Sequence, residues 1–339
     1  MSSEPTPPAT SSSESFYLSG IDEAGYGPLL GPLVIGCTTL RLPSAIAPAA
    51  PWKLLAPAVR RHSAKGIGIA IADSKKLHRS GTNDLSPLEI GALAFVACER
   101  GGECPRTFRE LMDHLTVGRC GYLEDYPWYR GQDVALPYSA PALALAGATR
   151  RLARSLERTH TEVAEVRALP LEVTEFNAHL ATQHNKGEVN AWAVGRFVRW
   201  LWRQRERKAA EIWVDRLGGR LRYGPLLYPL LRGARFQILE QETERQSYEA
   251  VEDASGRCLR IHFMTEGEKG AFPTALASMT AKYVRELHMV LFNRWWRAQA
   301  TDPLEPTAGY PQDARRFLDE TATLRSRLGI DPAVLIRLR

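Results

Sequence analysis

Two apolar runs separated by a turn dense in glycine and proline constrain this chain more than any other stretch of it. Residues 16–21 read as a short strand, and residues 33–40, rich in Val, Ile and Thr, as a second. Between them stand Gly25, Gly27, Pro28, Gly31 and Pro32, which supply left-handed or fixed backbone angles and so mark a tight turn. The acidic pair Asp22-Glu23 falls where the first strand ends. An adjacent Asp-Glu is ordinarily a solvated turn or a helix N-cap. Here the pair instead closes an apolar strand and enters a glycine-rich turn, a setting that invites a chemical role.

The rest of the chain alternates the two kinds of element. Residues 66–72 read as a strand that delivers Asp73-Ser74-Lys75-Lys76-Leu77, and residues 86–100 as a helix opened by Ser86-Pro87 with Glu89 as a capping acid. Residues 101–137, dense in Gly, Cys, Tyr and Pro, read as an irregular insertion. Helices are expected over 140–158 and 189–208, then a β-run over 211–214 that delivers Asp215. Strands at 235–239 and 258–264 precede a long helix over 274–296 with an apolar stripe of Leu276, Met279, Tyr283 and Leu287. A proline-rich linker leads to a last helix near 313–328. Strands alternating with helices imply an α/β fold, a mixed central sheet flanked by helices. With 339 residues, 44% of them hydrophobic, the chain can bury a large core. A disordered tail is expected over 1–15, a catalytic domain over 16–298 with insertions near 101–137 and 219–257, and a linker with a helical extension over 299–339.

A net charge of +6 suits a polyanionic partner without requiring one. The five cysteines are scattered and never spaced C-x-x-C, so neither a disulfide framework nor a zinc ribbon is indicated and a reducing cytoplasm fits best. Cys104, His114 and Cys120 have irregular spacing and read as structural or incidental. The first fifteen residues lack the basic start and apolar run of a secretory signal, and no apolar run is long enough to span a bilayer. No membrane association is expected, and the chain is expected to be a monomer.

The string Gly20-Ile21-Asp22-Glu23-Ala24-Gly25-Tyr26-Gly27-Pro28-Leu29-Leu30-Gly31-Pro32-Leu33-Val34 resembles the signature of type 2 ribonucleases H, the ribonuclease HII and HIII family. In order along the chain, Asp73-Ser74-Lys75-Lys76-Leu77 is similar to the family's D-S-K-K-L motif and Ile212-Trp213-Val214-Asp215 to its third acidic strand end. Glu268, followed by Ala277-Ser278-Met279-Thr280-Ala281-Lys282, resembles its fourth acid and A-S-x-x-A-K helix. That fourth acid is usually Asp in HII and Glu in HIII, and Phe176-Asn177 and Asn190-Ala191-Trp192-Ala193 also resemble HIII. The resemblance implies a ribonuclease H-like fold in which Asp22, Glu23, Asp215 and Glu268 are catalytic and hold two Mg2+ or Mn2+ ions. It further implies an endoribonuclease that acts on the RNA strand of RNA-DNA hybrids or on ribonucleotide-containing duplexes, leaving 5′-phosphate and 3′-hydroxyl ends. Carboxylate clusters agree with that role, because like charges raise one another's pKa unless a cation offsets them, and hard oxygen ligands favour magnesium or manganese over zinc.

Substrate contacts are expected at Gly25, Tyr26, Gly27, Ser74, Lys75, Lys76 and Tyr310. Five of them have a plainer alternative. Gly25 and Gly27 serve either a tight strand connection or close approach of backbone to a ribose, whose 2′-hydroxyl distinguishes RNA from DNA. Lys75 and Lys76 are solvated charges or phosphate contacts. Gly309-Tyr310 resembles a Gly-Tyr of HII enzymes whose ring stacks on the sugar at an RNA-DNA junction, and otherwise is a loop tyrosine packed on its own helix. The Arg/Trp helix of 192–207 reads as core aromatics on one face and solvated cations on the other.

The sequence also departs from the family. Tyr26 stands where HII enzymes carry Arg in a Gly-Arg-Gly turn, more residues separate Asp215 from Glu268 than is usual, and residues 101–137 have no family counterpart. With the catalytic strand near residue 16, the N-terminal substrate-binding domain of HIII is not expected. A divergent branch is predicted, and two other functions stay open: a noncatalytic nucleic-acid-binding module, and a related nuclease acting on DNA or junctions.

Overall fold

The computed structural model describes residues 15–61, 66–78, 84–117, 121–183, 185–204 and 206–338. Its strands are β1 (Phe16–Ala24), β2 (Leu33–Leu42), β3 (Val59–Arg60), β4 (Ile69–Ala70), β5 (Glu162–Leu171), β6 (Ala209–Asp215), β7 (Arg235–Gln241), β8 (Arg245–Glu252) and β9 (Arg257–Met264). The helices are α1 (Ala50–Leu54), α2 (Ser74–Leu77), α3 (Ser86–Glu99), α4 (Phe108–Leu115), α5 (Ala142–Arg158), α6 (Val173–Gln183), α7 (Lys186–Trp202), α8 (Gly224–Leu227), α9 (Gly267–Gly270), α10 (Phe272–Gln299), α11 (Pro311–Glu320), α12 (Ala322–Leu328) and α13 (Pro332–Leu335).

Seven strands form one mixed sheet in the order β5-β2-β1-β6-β9-β8-β7. The pairs β1–β6 and β6–β9 are parallel, and the flanking pairs are antiparallel. The expected mixed α/β architecture is therefore present. Because side chains alternate across a strand, β1 sends Leu18 into a core shared with α3, α5 and α10, and Ile21 into a second core shared with α6, α7 and α8. Helix α10 crosses the first face against β1 and β2, and from Phe272 to Arg285 every residue is buried. It is a central helix wrapped on all sides, not the one-sided amphipathic helix that an apolar stripe implies.

Several expectations about individual elements change. The first strand runs on to Ala24, so Asp22 and Glu23 lie within its last residues. Of residues 66–72 only Ile69–Ala70 are strand, and they pair with Val59–Arg60 in a separate two-stranded sheet. Gly68 takes a left-handed φ of 129° there, which interrupts extended pairing upstream. The stretch 101–137 is no loose insertion. It contributes α4 and buries Phe108, Leu111, Met112, Tyr122, Trp128 and Tyr129 in the first core, because aromatics of this size gain too much from burial to stay at the surface. Residues 219–257 supply α8, β7 and β8, which widen the sheet. Glu89 does not cap α3, whose cap position is Leu85. It is fully buried and accepts hydrogen bonds from the N–H groups of Tyr138, Ser139 and Ala140 and from the Tyr283 hydroxyl. The last predicted helix is broken at Thr321 into α11 and α12.

Residues 1–14 of the expected tail, and Cys120, lie outside the described residues. His114 pairs with Glu99. Among the described residues, no helix is long and apolar enough to cross a membrane.

Candidate active site

Alternation along β1 gives its two acids opposite surroundings. Asp22 shares the α10 face with Leu18 and Gly20, whereas Glu23 shares the α7 face with Ile21. Accordingly Ser278 of α10 stands beside Asp22 and lowers its pKa, and Asn190 of α7 does the same for Glu23. Asp22 also accepts from the Glu23 amide at 2.7 Å. Both helices pack on opposite sides of the same strand end, so the pair is braced from above and below.

The parallel neighbour β6 brings the third acid. Ile21 is in register with Val214, which sets Asp215 beside the end of β1. Asp215 is in turn in register with Met264 at the end of β9. The chain then turns sharply through Glu266, a non-glycine residue with φ of 55°, into α9. The Gly267 amide donates to Asp215 Oδ1 at 2.8 Å, and a Cβ at Gly267 would stand 3.2 Å from the Asp215 Cα. That close fit places Glu268, the next residue, over the end of β6.

The four acids share one electrostatic neighbourhood. Burial pushes Asp22 well above the usual carboxyl range, and the charges of Glu23 and Asp215 push it further. Glu23 is raised to about 7, first by burial and then by Asp215, with Glu268 adding and Asn190 and Lys75 opposing. Asp215 is raised by burial against hydrogen bonds from the Gly267 and Arg216 amides, and Glu268 is raised by burial, Asp215 and Asp73. Lys75 lowers Glu23, Asp215 and Glu268 alike, so this exposed cation on α2 faces three of the acids. Glu23 Oε2 is buried with no hydrogen-bond partner. Among the described residues, no three His, Cys, Asp or Glu side chains are gathered into a group that could hold a metal ion. The acids are neighbours that feel one another, not a closed ligand shell.

Of the expected substrate contacts, Ser74 is buried, with its Oγ 3.1 Å from Ser278 Oγ, so α2 joins Asp22 through one serine. Asp73 caps α2 by accepting from the Lys75 amide at 2.9 Å. Lys76 is exposed and faces Glu266. At the glycine turn, Gly25 takes φ of 87°, and a Cβ there would lie 2.6 Å from Arg285 Cδ and 2.7 Å from the Pro32 carbonyl. Tyr26 is partly exposed, and its hydroxyl approaches Gly187 at the start of α7. Tyr310 does not simply pack on its own helix. A Cβ at Gly27 would sit 3.9 Å from its ring, and the preceding Gly309 carbonyl accepts from the Leu29 and Leu30 amides. The buried Arg285 guanidinium lies 5.8 Å from the Tyr310 ring and donates to the Ala308 carbonyl at 2.9 Å.

Two residues of this site, Asn190 and Ser278, have no local sequence signal for a role. Each lies within a string of family resemblance, but the sequence does not reveal which way it points off its helix.

No protein-family profile matches the sequence, and no curated protein does. Solved structures do. A chain of the PCNA:RNase HII complex from Archaeoglobus fulgidus is similar at 16% identity and a TM-score of 0.43, covering 95% of this chain and 94% of its own. The ribonuclease H2 of Pyrococcus horikoshii is similar at 16% identity and a TM-score of 0.45, with 94% and 92% covered. Bst-RNase HIII in complex with Mn2+ is similar at 14% identity and a TM-score of 0.39, with 96% and 68% covered. At such identities the likeness says nothing about individual side chains.

Proposed function

We propose that this protein is a divalent-metal-dependent endonuclease that hydrolyses the RNA strand of RNA-DNA hybrids. The observation that supports the reading is that Asp22, Glu23, Asp215 and Glu268 share one electrostatic neighbourhood in which each has a raised pKa. Evolving proteins rarely keep four acids at one partly buried spot for stability, because each ionised carboxylate there raises the cost of the others.

The side chains suit a hard divalent cation. Every candidate donor is a carboxylate oxygen, and Glu23 Oε2 is a buried acceptor without a donor. Asp22, Glu23, Asp215 and Glu268 would hold Mg2+ or Mn2+, and a bound pair of such ions supplies an activated water and a stabilised leaving oxygen for in-line displacement. The chain's own residues do the positioning. Ser278 and Asn190 fix the two acids of β1 from opposite faces. Lys75 stands beside the acids as an exposed cation suited to a phosphate. The Gly25–Gly27 turn offers backbone to a ribose, with Tyr310 beside it as a ring for the sugar. Cleavage leaves 5′-phosphate and 3′-hydroxyl ends.

Tyr26 favours a second reading of substrate choice, a nuclease of DNA or junctions. A phenol lacks the guanidinium that the family turn offers, so only backbone recognition of the 2′-hydroxyl carries over. One assay decides both matters: labelled hybrid, single-ribonucleotide and all-DNA duplexes are incubated with Mg2+ or Mn2+, beside the Asp22→Asn variant. Hybrid cleavage that Asp22→Asn lowers by more than about a hundredfold supports the proposal. Tight binding without cleavage, or an unaffected variant, overturns it.

A further inference from the structure

The glycine turn is held from beneath by a residue far away in sequence. Arg337 is buried, and its Nη2 donates to the Gly25 carbonyl at 2.7 Å. Its own amide donates to the Leu29 carbonyl at 2.8 Å, and its guanidinium lies 5.2 Å from the Phe176 ring. The segment that carries it is fastened to α6 by one side chain. Asn177 Nδ2 donates to the carbonyls of Ala333 and Ile336 at 3.2 and 2.9 Å, and its Oδ1 accepts from the Leu338 amide at 2.8 Å. Leu335 is buried beside them.

This arrangement is expensive for a structural tie. Burial first, and then the neighbouring Arg285 cation, bring the Arg337 pKa down to about 9 against the opposing charges of Glu172 and Tyr310. At neutral pH the group is still charged, and its Nε and Nη1 are buried without hydrogen-bond partners. Burying two cations side by side, both with unmet donors, works against stability even with the Glu172 charge nearby. A neutral donor would hold a carbonyl at lower cost.

What the arginine does achieve is orientation. A trans peptide is planar, and its C=O and N–H point in opposite directions. The Gly25–Tyr26 peptide is trans, so a Gly25 carbonyl drawn onto Arg337 turns the Tyr26 N–H to the opposite side, away from Arg337. Gly25 at φ of 87° permits this setting, which a side chain at that position would strain. Resting on the function proposed above, we infer that Arg337 is the positioning residue for ribonucleotide selection: by holding the Gly25 carbonyl it presents the Tyr26 amide as the donor to a ribose 2′-hydroxyl.

The test uses the full chain and compares wild type with Arg337→Met, Arg337→Lys and Asn177→Ala. The first readout is kcat and KM on a single-ribonucleotide duplex, with binding of an all-DNA duplex of the same length measured by anisotropy. The second is hydrogen exchange of the turn amides, which needs no activity. The expected result is that Arg337→Met lowers kcat/KM on the ribonucleotide duplex about tenfold, the scale of one charge-assisted hydrogen bond. All-DNA binding stays unchanged, the turn amides exchange faster while those of β1 and β6 do not, and Arg337→Lys recovers part of the loss. Unchanged selectivity with unchanged exchange overturns the inference, and so does faster exchange throughout the sheet, which would make Arg337 merely structural. If Arg337→Met does not fold, Asn177→Ala carries the same readouts, since it frees the segment without touching the turn. If the wild type cuts none of the duplexes, the proposed function fails, and the exchange measurement still decides whether Arg337 sets the turn.

Discussion

Gly20 on β1 and Pro273 on α10 touch backbone to backbone: a Cβ added at Gly20 would stand 2.1 Å from the Pro273 carbonyl carbon. Gly36 on β2 repeats the relationship with Ala277, whose carbonyl oxygen would be 2.2 Å away. Two glycines on adjacent strands thus let the helix lie directly on the sheet, and that approach is what brings Ser278 to Asp22. Gly20→Ala is expected to cost about 3 kcal/mol or more, since backbone rather than a flexible side chain must yield. Urea unfolding of the two proteins measures the difference.

The carboxyl of Glu23 ties stability to pH. Its pKa stands at about 7 in the fold against an ordinary 4.5, chiefly through burial. A carboxyl that binds its proton more tightly when folded contributes stability that is complete below pH 4.5 and is lost as pH rises through about 7. Removing the charge should therefore help at high pH and do little at low pH. With a chelator present, Glu23→Gln is expected to exceed wild type by up to about 3 kcal/mol at pH 8 and to match it near pH 4. Added Mn2+ should close the gap at pH 8 by stabilising the wild type preferentially. Thermal melts across the pH series with and without Mn2+ would expose an error in either direction.

Ser278 separates positioning from folding. Its hydroxyl lies 3.1 Å from Ser74 Oγ and lowers the Asp22 pKa, but fills little volume. Ser278→Ala should lower nuclease activity about tenfold, as the loss of a group that orients a ligand does, while circular dichroism and the melting point stay close to wild type. A variant of wild-type activity would remove Ser278 from the site.

Glu89 makes the opposite separation. Three amides and a hydroxyl point at its carboxylate, so Glu89→Gln sets an NH2 against donors and leaves buried groups unmet. The expected loss is about 3 kcal/mol, with activity per folded molecule preserved. Stability and specific activity measured on one preparation distinguish this from a catalytic role.

The sequence carried the strands that end in acids because their signals are local: a β-branched run, then Asp22-Glu23 or Asp215, then glycine or a break. Strand β5 was invisible for a physical reason. Glu162, Glu165 and Arg167 interrupt its apolar pattern, yet Glu165 is buried in an ion pair with Arg207, a partner that no local rule supplies. Glu89 misleads in the same way, since Ser86-Pro87 with an acid at position 89 fits a cap, while its actual donors come from residues 138–140 and 283. Residues 101–137 looked irregular because glycine and proline punctuate them, and only the buried aromatics between reveal a core role. Asn190 and Ser278 lay in recognisable strings, but their direction depended on how α7 and α10 rest on β1.

The parallel register of β1, β6 and β9 has a further consequence for how this protein can fail. The strand ends that carry the acids at positions 22, 23, 215 and 268 become neighbours only when the intervening chain has been threaded around both faces of the sheet. Assembly of the site is thus among the last and most non-local events of folding. Under the function proposed above, the chain therefore carries a built-in interlock, in which the capacity to cut arises only with the completed sheet.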